Sequence, residues 1–180
     1  YYIGSHRAIE LQKAKEMNTS GKLGQVVYAS FMSTHTISDD HANGWRGNLD
    51  ISKGGALMDS GHHLVYQALY LMGMPKKLQA FKSNLLLNQM EGEDIAQVNL
   101  LYPDGSIGTI MQSWTSVHGA AIDGVKIVGT EDSIAVTEVD YPATFQAQAA
   151  AFVDAVKNGK KPISDLADSR NTLILIQSAY

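Results

Sequence analysis

The amino-acid pattern predicts an α+β fold: an open, mainly antiparallel sheet of about six strands with helices packed on one face. Three observations predict it. Five strand-like segments follow one another between residues 77 and 139, and the turns between them are short. Short turns join antiparallel neighbours, whereas parallel neighbours need a crossover of about a dozen residues. A sixth strand-like segment lies nearer the N-terminus, and the helical patterns are grouped before and after the strand run.

Residues 8–20 read as a helix, with Ile9, Leu11, Ala14 and Met17 as an imperfect apolar stripe and Gly21 and Gly24 ending it. Residues 25–36 read as a strand with apolar side chains on both faces. Residues 38–53 are polar and rich in turn formers, and they carry Trp45-Arg46. A loop of about 16 residues inside a compact domain is commonly functional. A helix over 55–72 follows, ended by Gly73 just before Pro75. Strands are expected over 77–87, 95–102, 106–117, 123–128 and 133–139. Pro103-Asp104-Gly105 and Gly129-Thr130-Glu131-Asp132 supply two of the turns. Two helices close the chain. One spans 143–157 and stops at Asn158-Gly159; the other starts near Asp165, with Asp165 or Ser164 as its cap.

Along 106–118, Ile107, Met111 and Val117 point one way, and Ile110, Trp114 and His118 the other. Both faces are therefore apolar, and helices cover only one. A homo-oligomer joined through the open sheet face carrying Trp114 is the expectation.

The chain has 180 residues, enough for one domain with its own core, and 44% of them are hydrophobic. Its net charge of −4, without a basic cluster, argues against nucleic acid and anionic membrane as partners. No apolar run reaches the roughly 18–20 residues that span a bilayer. There is no cysteine and no signal-peptide pattern, so the cytoplasm is the expected compartment. The chain opens on Tyr1 rather than Met, and residues 172–180 run apolar to the end without a helix stop signal. A piece of a longer protein is expected.

The residues best suited to chemistry lie in the segment 54–73. Asp59 and His63 are four apart, so a continuous helix would put them on one face, one turn from each other. A His beside a carboxylate has a tunable pKa near neutrality, which suits general acid–base work. The glycines before them would let a substrate or cofactor approach the backbone. The alternative is a carboxylate favoured near a helix N-terminus with a His that only shares its face. His62 would lie about 100° away and is expected to be a bystander. A metal would need a third ligand such as His35, His41 or His118, and no second ligand motif accompanies the pair, so no metal is expected. Trp45 and Arg46 could hold a carbohydrate or carboxylate by stacking and bidentate hydrogen bonds, or could simply anchor the loop. His118 could line the same pocket. Gly105-Ser106-Ile107-Gly108 lies in a hairpin rather than at a strand-to-helix turn, so it is no dinucleotide fingerprint.

The run Gly54-Gly55-Ala56-Leu57-Met58-Asp59-Ser60-Gly61-His62-His63, ending in Leu71-Met72-Gly73-Met74-Pro75, closely resembles the glucose–fructose oxidoreductase / inositol dehydrogenase / MocA family. Arg7-Ala8-Ile9, Gly21 to Val26, Trp45-Arg46, Gly129 to Ser133 and Phe152 to Gly159 fall in the family's order. The resemblance implies the C-terminal, substrate-binding and oligomerisation domain over residues 1–180. The N-terminal dinucleotide-binding domain, which would bind NAD or NADP, is missing from this chain. It implies an oxidoreductase that moves hydride between the nicotinamide and a sugar, cyclitol or polyol carbinol, with His63 as general base beside Asp59. Arg46 and Trp45, with His118 from the end of the strand that carries Trp114, are the expected substrate contacts. Many members carry an acidic residue three positions after the His; Tyr66 stands there in this chain. A ligand-sensing or regulatory module on the same fold is the alternative.

Overall fold

The computed structural model describes residues 9–116, 120, 122–137, 140–162 and 164–180. The elements run α1 (Ile9–Thr19), β1 (Val26–Thr34), α2 (Asp39–Asn43), a 3-10 turn (Trp45–Gly47), α3 (Leu49–Ser52), α4 (Ala56–Asp59) and α5 (His62–Met72). Then come β2 (Lys77–Ser83), β3 (Ile95–Leu101), β4 (Ile107–Ser113), β5 (Gly124–Gly129), β6 (Ser133–Val136), α6 (Tyr141–Lys157) and α7 (Leu166–Ala179).

The six strands form one sheet in the order β2-β3-β4-β1-β5-β6. Every pairing is antiparallel except β1 with β4. β1, from the far end of the sequence, sits between the two hairpins and runs antiparallel to β5, which leaves it parallel to β4. The β3–β4 turn closes as expected. Gly105 takes a φ of 91°, and Asp104 Oδ1 accepts from the Ser106 N–H at 3.0 Å.

Helices cover one face. Phe31, Ile110, Val98 and Ile127 share that face by register and are fully buried against Leu57, Val65 and Leu71. α5 lies across β1 and β4, with α7 and α1 beside it. Its buried Leu64, Val65, Ala68 and Leu71 form one stripe, and Gly73, with a φ of 83°, ends it. A second, smaller cluster gathers Ala42, Ala56, Met90 and Trp114 at the end of the sheet where α2 and α4 meet.

The other face is open and carries Tyr28, Phe81, Ile107 and Val128 exposed. Trp114 is not on it. The ring shares the helix-side face with Ile110 and is 1% exposed, because the strand ends at Ser113 and the chain turns under α4. The apolar side chains that the open face does present on β4 are Ile107 and Met111.

Two local expectations change. The segment 38–53 is no extended loop: Ser38 and Asn48 cap short helices, with side-chain oxygens accepting the N–H groups of His41, Asp50 and Ile51. The expected helix over 55–72 is two helices with a break at Ser60-Gly61. Gly61 lies against Leu57, where a Cβ would come within 2.7 Å of the Leu57 carbonyl oxygen.

Candidate active site

The break between α4 and α5 brings Asp59, His62 and His63 together from the ends of two elements instead of along one helix. Both oxygens of the Asp59 carboxylate are engaged. Arg46 donates Nε to Oδ1 at 3.2 Å, and the Ser60 hydroxyl donates to Oδ2 at 3.3 Å. Arg46 comes from the 3-10 turn, where its guanidinium also lies 4.4 Å over the Trp45 ring. The Trp45 indole is half exposed. Trp114 donates Nε1 to the Ser60 hydroxyl at 2.9 Å, so the buried end of β4 orients Ser60, and Ser60 orients Asp59. Neither Ser60 nor Trp114 is conspicuous in the sequence as part of a site. Their contact joins residues 54 apart in the chain.

The imidazoles do not behave as helical-wheel geometry predicts. The His62 ring lies 3.9 Å from the His63 ring, tilted by 38°. His62 Nδ1 meets the Asp59 main-chain carbonyl. A carbonyl only accepts, so Nδ1 carries the proton. His63 makes no hydrogen bond to the Asp59 carboxylate among the described residues. Its pKa is pushed down to about 4, first by loss of hydration and then by the neighbouring His62, with the Asp59 charge opposing. His63 nonetheless reaches the surface of the domain. Burial also lowers the His62 pKa, against the Asp59 carbonyl and charge, which raise it. Both rings are therefore neutral at pH 7.

A buried frame sets α4. Glu93 accepts from the Gly55 N–H at 3.1 Å through Oε2 and from the Leu57 N–H at 3.0 Å through Oε1, and the Tyr180 hydroxyl donates to Oε1 at 2.5 Å. Burial and Glu93 push the Tyr180 pKa up. Asp94, fully buried, accepts from the N–H groups of Leu85, Leu86 and Leu87 at 2.7–3.0 Å. Its carbonyl takes the Trp114 N–H at 2.8 Å. The sequence signal for this frame is the Glu-Asp pair just ahead of a strand: two adjacent carboxylates at the edge of an apolar run need partners if they are buried.

The glycine pair has a role other than the expected one. A Cβ on Gly55 would overlap the Glu93 carbonyl oxygen, and one on Gly54 would stand 2.5 Å from the Tyr180 hydroxyl. The close approach seen at these glycines is to the protein's own backbone and side chains. Of the other candidates, His35 lies by Gln112 at 3.5 Å, His41 is exposed on α2, and His118 lies outside the described residues. Among the described residues no group of three or more His, Asp or Glu side chains is arranged to hold a metal. An open groove of about 470 Å³ lined by Lys53, Lys82, Asn84 and Tyr180 lies beside Glu93, away from the imidazoles. The imidazoles of the Asp–His cluster are the side chains whose ordinary pKa lies nearest neutrality.

An open six-stranded sheet with helices on one face, and an Asp-x-Gly-x-His segment at a helix break, place the chain among α+β domains of one family. The chain belongs to the GFO/IDH/MocA family: residues 11–135 match the model of its C-terminal domain. No curated protein matches the chain. Among solved structures, it is similar to the aldose-aldose oxidoreductase from Caulobacter crescentus complexed with glycerol, with a TM-score of 0.82 and 23% identity over 98% of this chain and 59% of that one. It is also similar to the WlbA dehydrogenase from Bordetella pertussis in complex with NADH and UDP-GlcNAcA, with a TM-score of 0.84 and 18% identity over 99% of this chain and 60% of that one. An oxidoreductase from Agrobacterium radiobacter, in complex with NAD+, L-tartaric acid and magnesium, gives a TM-score of 0.76 and 15% identity over 99% and 60%. At these identities the likeness is one of fold. The chain spans about 60% of the length of the structures it matches.

Proposed function

We propose that this chain is the substrate-binding and oligomerisation domain of an NAD(P)-dependent oxidoreductase acting on a sugar, cyclitol or polyol carbinol. The dinucleotide-binding domain stands outside the chain. The observation that carries the reading is a neutral His63 at the helix break, within the field of an Asp59 carboxylate whose two oxygens are engaged by Arg46 and Ser60. Cofactor binding belongs, in this reading, mainly to the other domain. When bound, the nicotinamide supplies the hydride acceptor.

His63 takes the hydroxyl proton as the carbinol carbon becomes a carbonyl. Asp59 does not take it; its fixed negative charge balances the imidazolium that forms. The exposed Trp45 face offers a stacking surface for a sugar ring, and Arg46, already bound to Asp59, holds the carboxylate and lies against that ring. The longer enzyme works in the cytoplasm as a homo-oligomer assembled through the open sheet face. Replacing His63 by Ala in the polypeptide that carries both domains is expected to lower kcat/KM on its polyol substrate by about 10²–10⁴-fold. A loss of less than about tenfold sinks the role.

A further inference from the structure

His62 is absent from the proposed chemistry, yet it contacts both residues that carry it. Its Nδ1–H is given to the Asp59 carbonyl, at the break where α4 ends, and its ring face meets His63 at 3.9 Å. The hydrogen bond ties the ring to the end of α4, while its own backbone opens α5. His62 is therefore a strut across the break, with His63 resting on it. We propose that His62 is a positioning residue: anchored on the Asp59 carbonyl, it supports the His63 ring in one orientation and lets the pair of imidazoles hold one proton instead of two.

The physical reason is proximity. Two imidazolium rings 3.9 Å apart repel, so the second proton is strongly disfavoured. Among the described residues, two further groups bear on the pair. Asp59 at the end of α4 favours a proton on either ring, but its charge is shared with Arg46 from the 3-10 turn. Tyr66 stands one turn further along α5. The proton taken from substrate thus arrives at a His63 that is empty and already aimed. The catalytic part of this statement rests on the proposed role of His63; the coupling between the two rings does not.

The test reads the ring resonances of His62 and His63 by NMR across a pH titration of the 180-residue chain, without substrate or cofactor. In the unaltered chain the two rings are expected to titrate as a coupled pair with the His63 midpoint well below the ordinary 6.5. In His62→Ala the His63 midpoint rises by about one pH unit, and its ring samples more than one rotamer. In His62→Phe, which keeps a ring face but no charge, the single rotamer returns while the midpoint stays raised. An unchanged His63 midpoint in both variants overturns the proposal, as does a single rotamer retained in His62→Ala. Should His62→Ala fail to fold, the midpoint in His62→Phe decides. Loss of turnover in His63→Ala with no effect of His62 on the titration would leave His63 catalytic and remove His62 from the site.

Discussion

At the scale of single residues, two imidazoles are kept neutral beside a carboxylate. Asp59 alone would charge a nearby His. Loss of hydration and the like charge of the adjacent ring outweigh it at His63 and lower its pKa to about 4. The stability consequence has a definite sign. The folded state refuses a proton that an unfolded His accepts at about 6.5, so the unfolded chain binds more protons between about 6.5 and about 4. The fold loses stability as pH falls through that window. Because His63 reaches the surface, solvent tempers the effect. A melting temperature that drops by a few degrees between pH 6.5 and 4, with a shallower drop in His63→Gln, is the expected result of thermal scans. Equal slopes in the two proteins would mean that His63 is not depressed in the fold. None of this is visible in the spacing of Asp59 and His63, which predicts only a shared helix face.

At the scale of elements, the placement of α4 decides the site. Two glycines and two carboxylates place it. Gly55 lets the chain lie directly on the Glu93 backbone, Glu93 ties the N–H groups of Gly55 and Leu57, and the Ala56 N–H reaches the Glu93 carbonyl at 2.8 Å. Asp94 then fixes the turn after β2 and the end of β4 through Trp114. Gly55→Ala therefore pushes α4 off β3. Overpacking of this kind costs about 1–3 kcal/mol, and for a chain of this length that lowers the melting temperature by roughly 2–12 °C. The same substitution should also weaken the Trp114–Ser60–Asp59 chain, read as a loss of near-ultraviolet tryptophan dichroism. An unperturbed melting curve would show that the contact yields without cost. The helix over 55–72 is legible from its apolar stripe and its Gly73 stop, but its break at Ser60-Gly61 is not. A single glycine in a helical pattern is usually tolerated, and only packing of Gly61 on Leu57 turns it into a junction.

At the scale of the whole molecule, the sheet is one-sided. Helices bury Phe31, Ile110 and Val98, while Tyr28, Phe81, Ile107 and Val128 stay exposed on the far side. An uncovered face with such side chains is suited to pairing with another copy. Sedimentation at micromolar concentration should show a species larger than one chain, and Phe81→Glu with Ile107→Glu should return it to the monomer. A monodisperse monomer of the unaltered chain would refute assembly through this face. Trp114 plays no part in that surface. Alternation along β4 correctly separates it from Ile107, but alternation cannot say which face the helices choose.

Periodicity and turn residues were enough to determine the α+β class, the six strands and the hairpins at Pro103-Asp104-Gly105 and Gly129 to Asp132, while the family is legible through the resemblance carried by residues 54–75. These are local properties: a strand's alternation and a glycine's tolerance of positive φ act within a few residues of chain. Only the tertiary structure decided that β1 enters between β4 and β5, that Gly54 and Gly55 meet protein, and that Trp114 reaches Ser60. Each of these is a contact between segments whose spacing in sequence carries no record of it, set by which surfaces exclude water together and which buried polar groups must find partners.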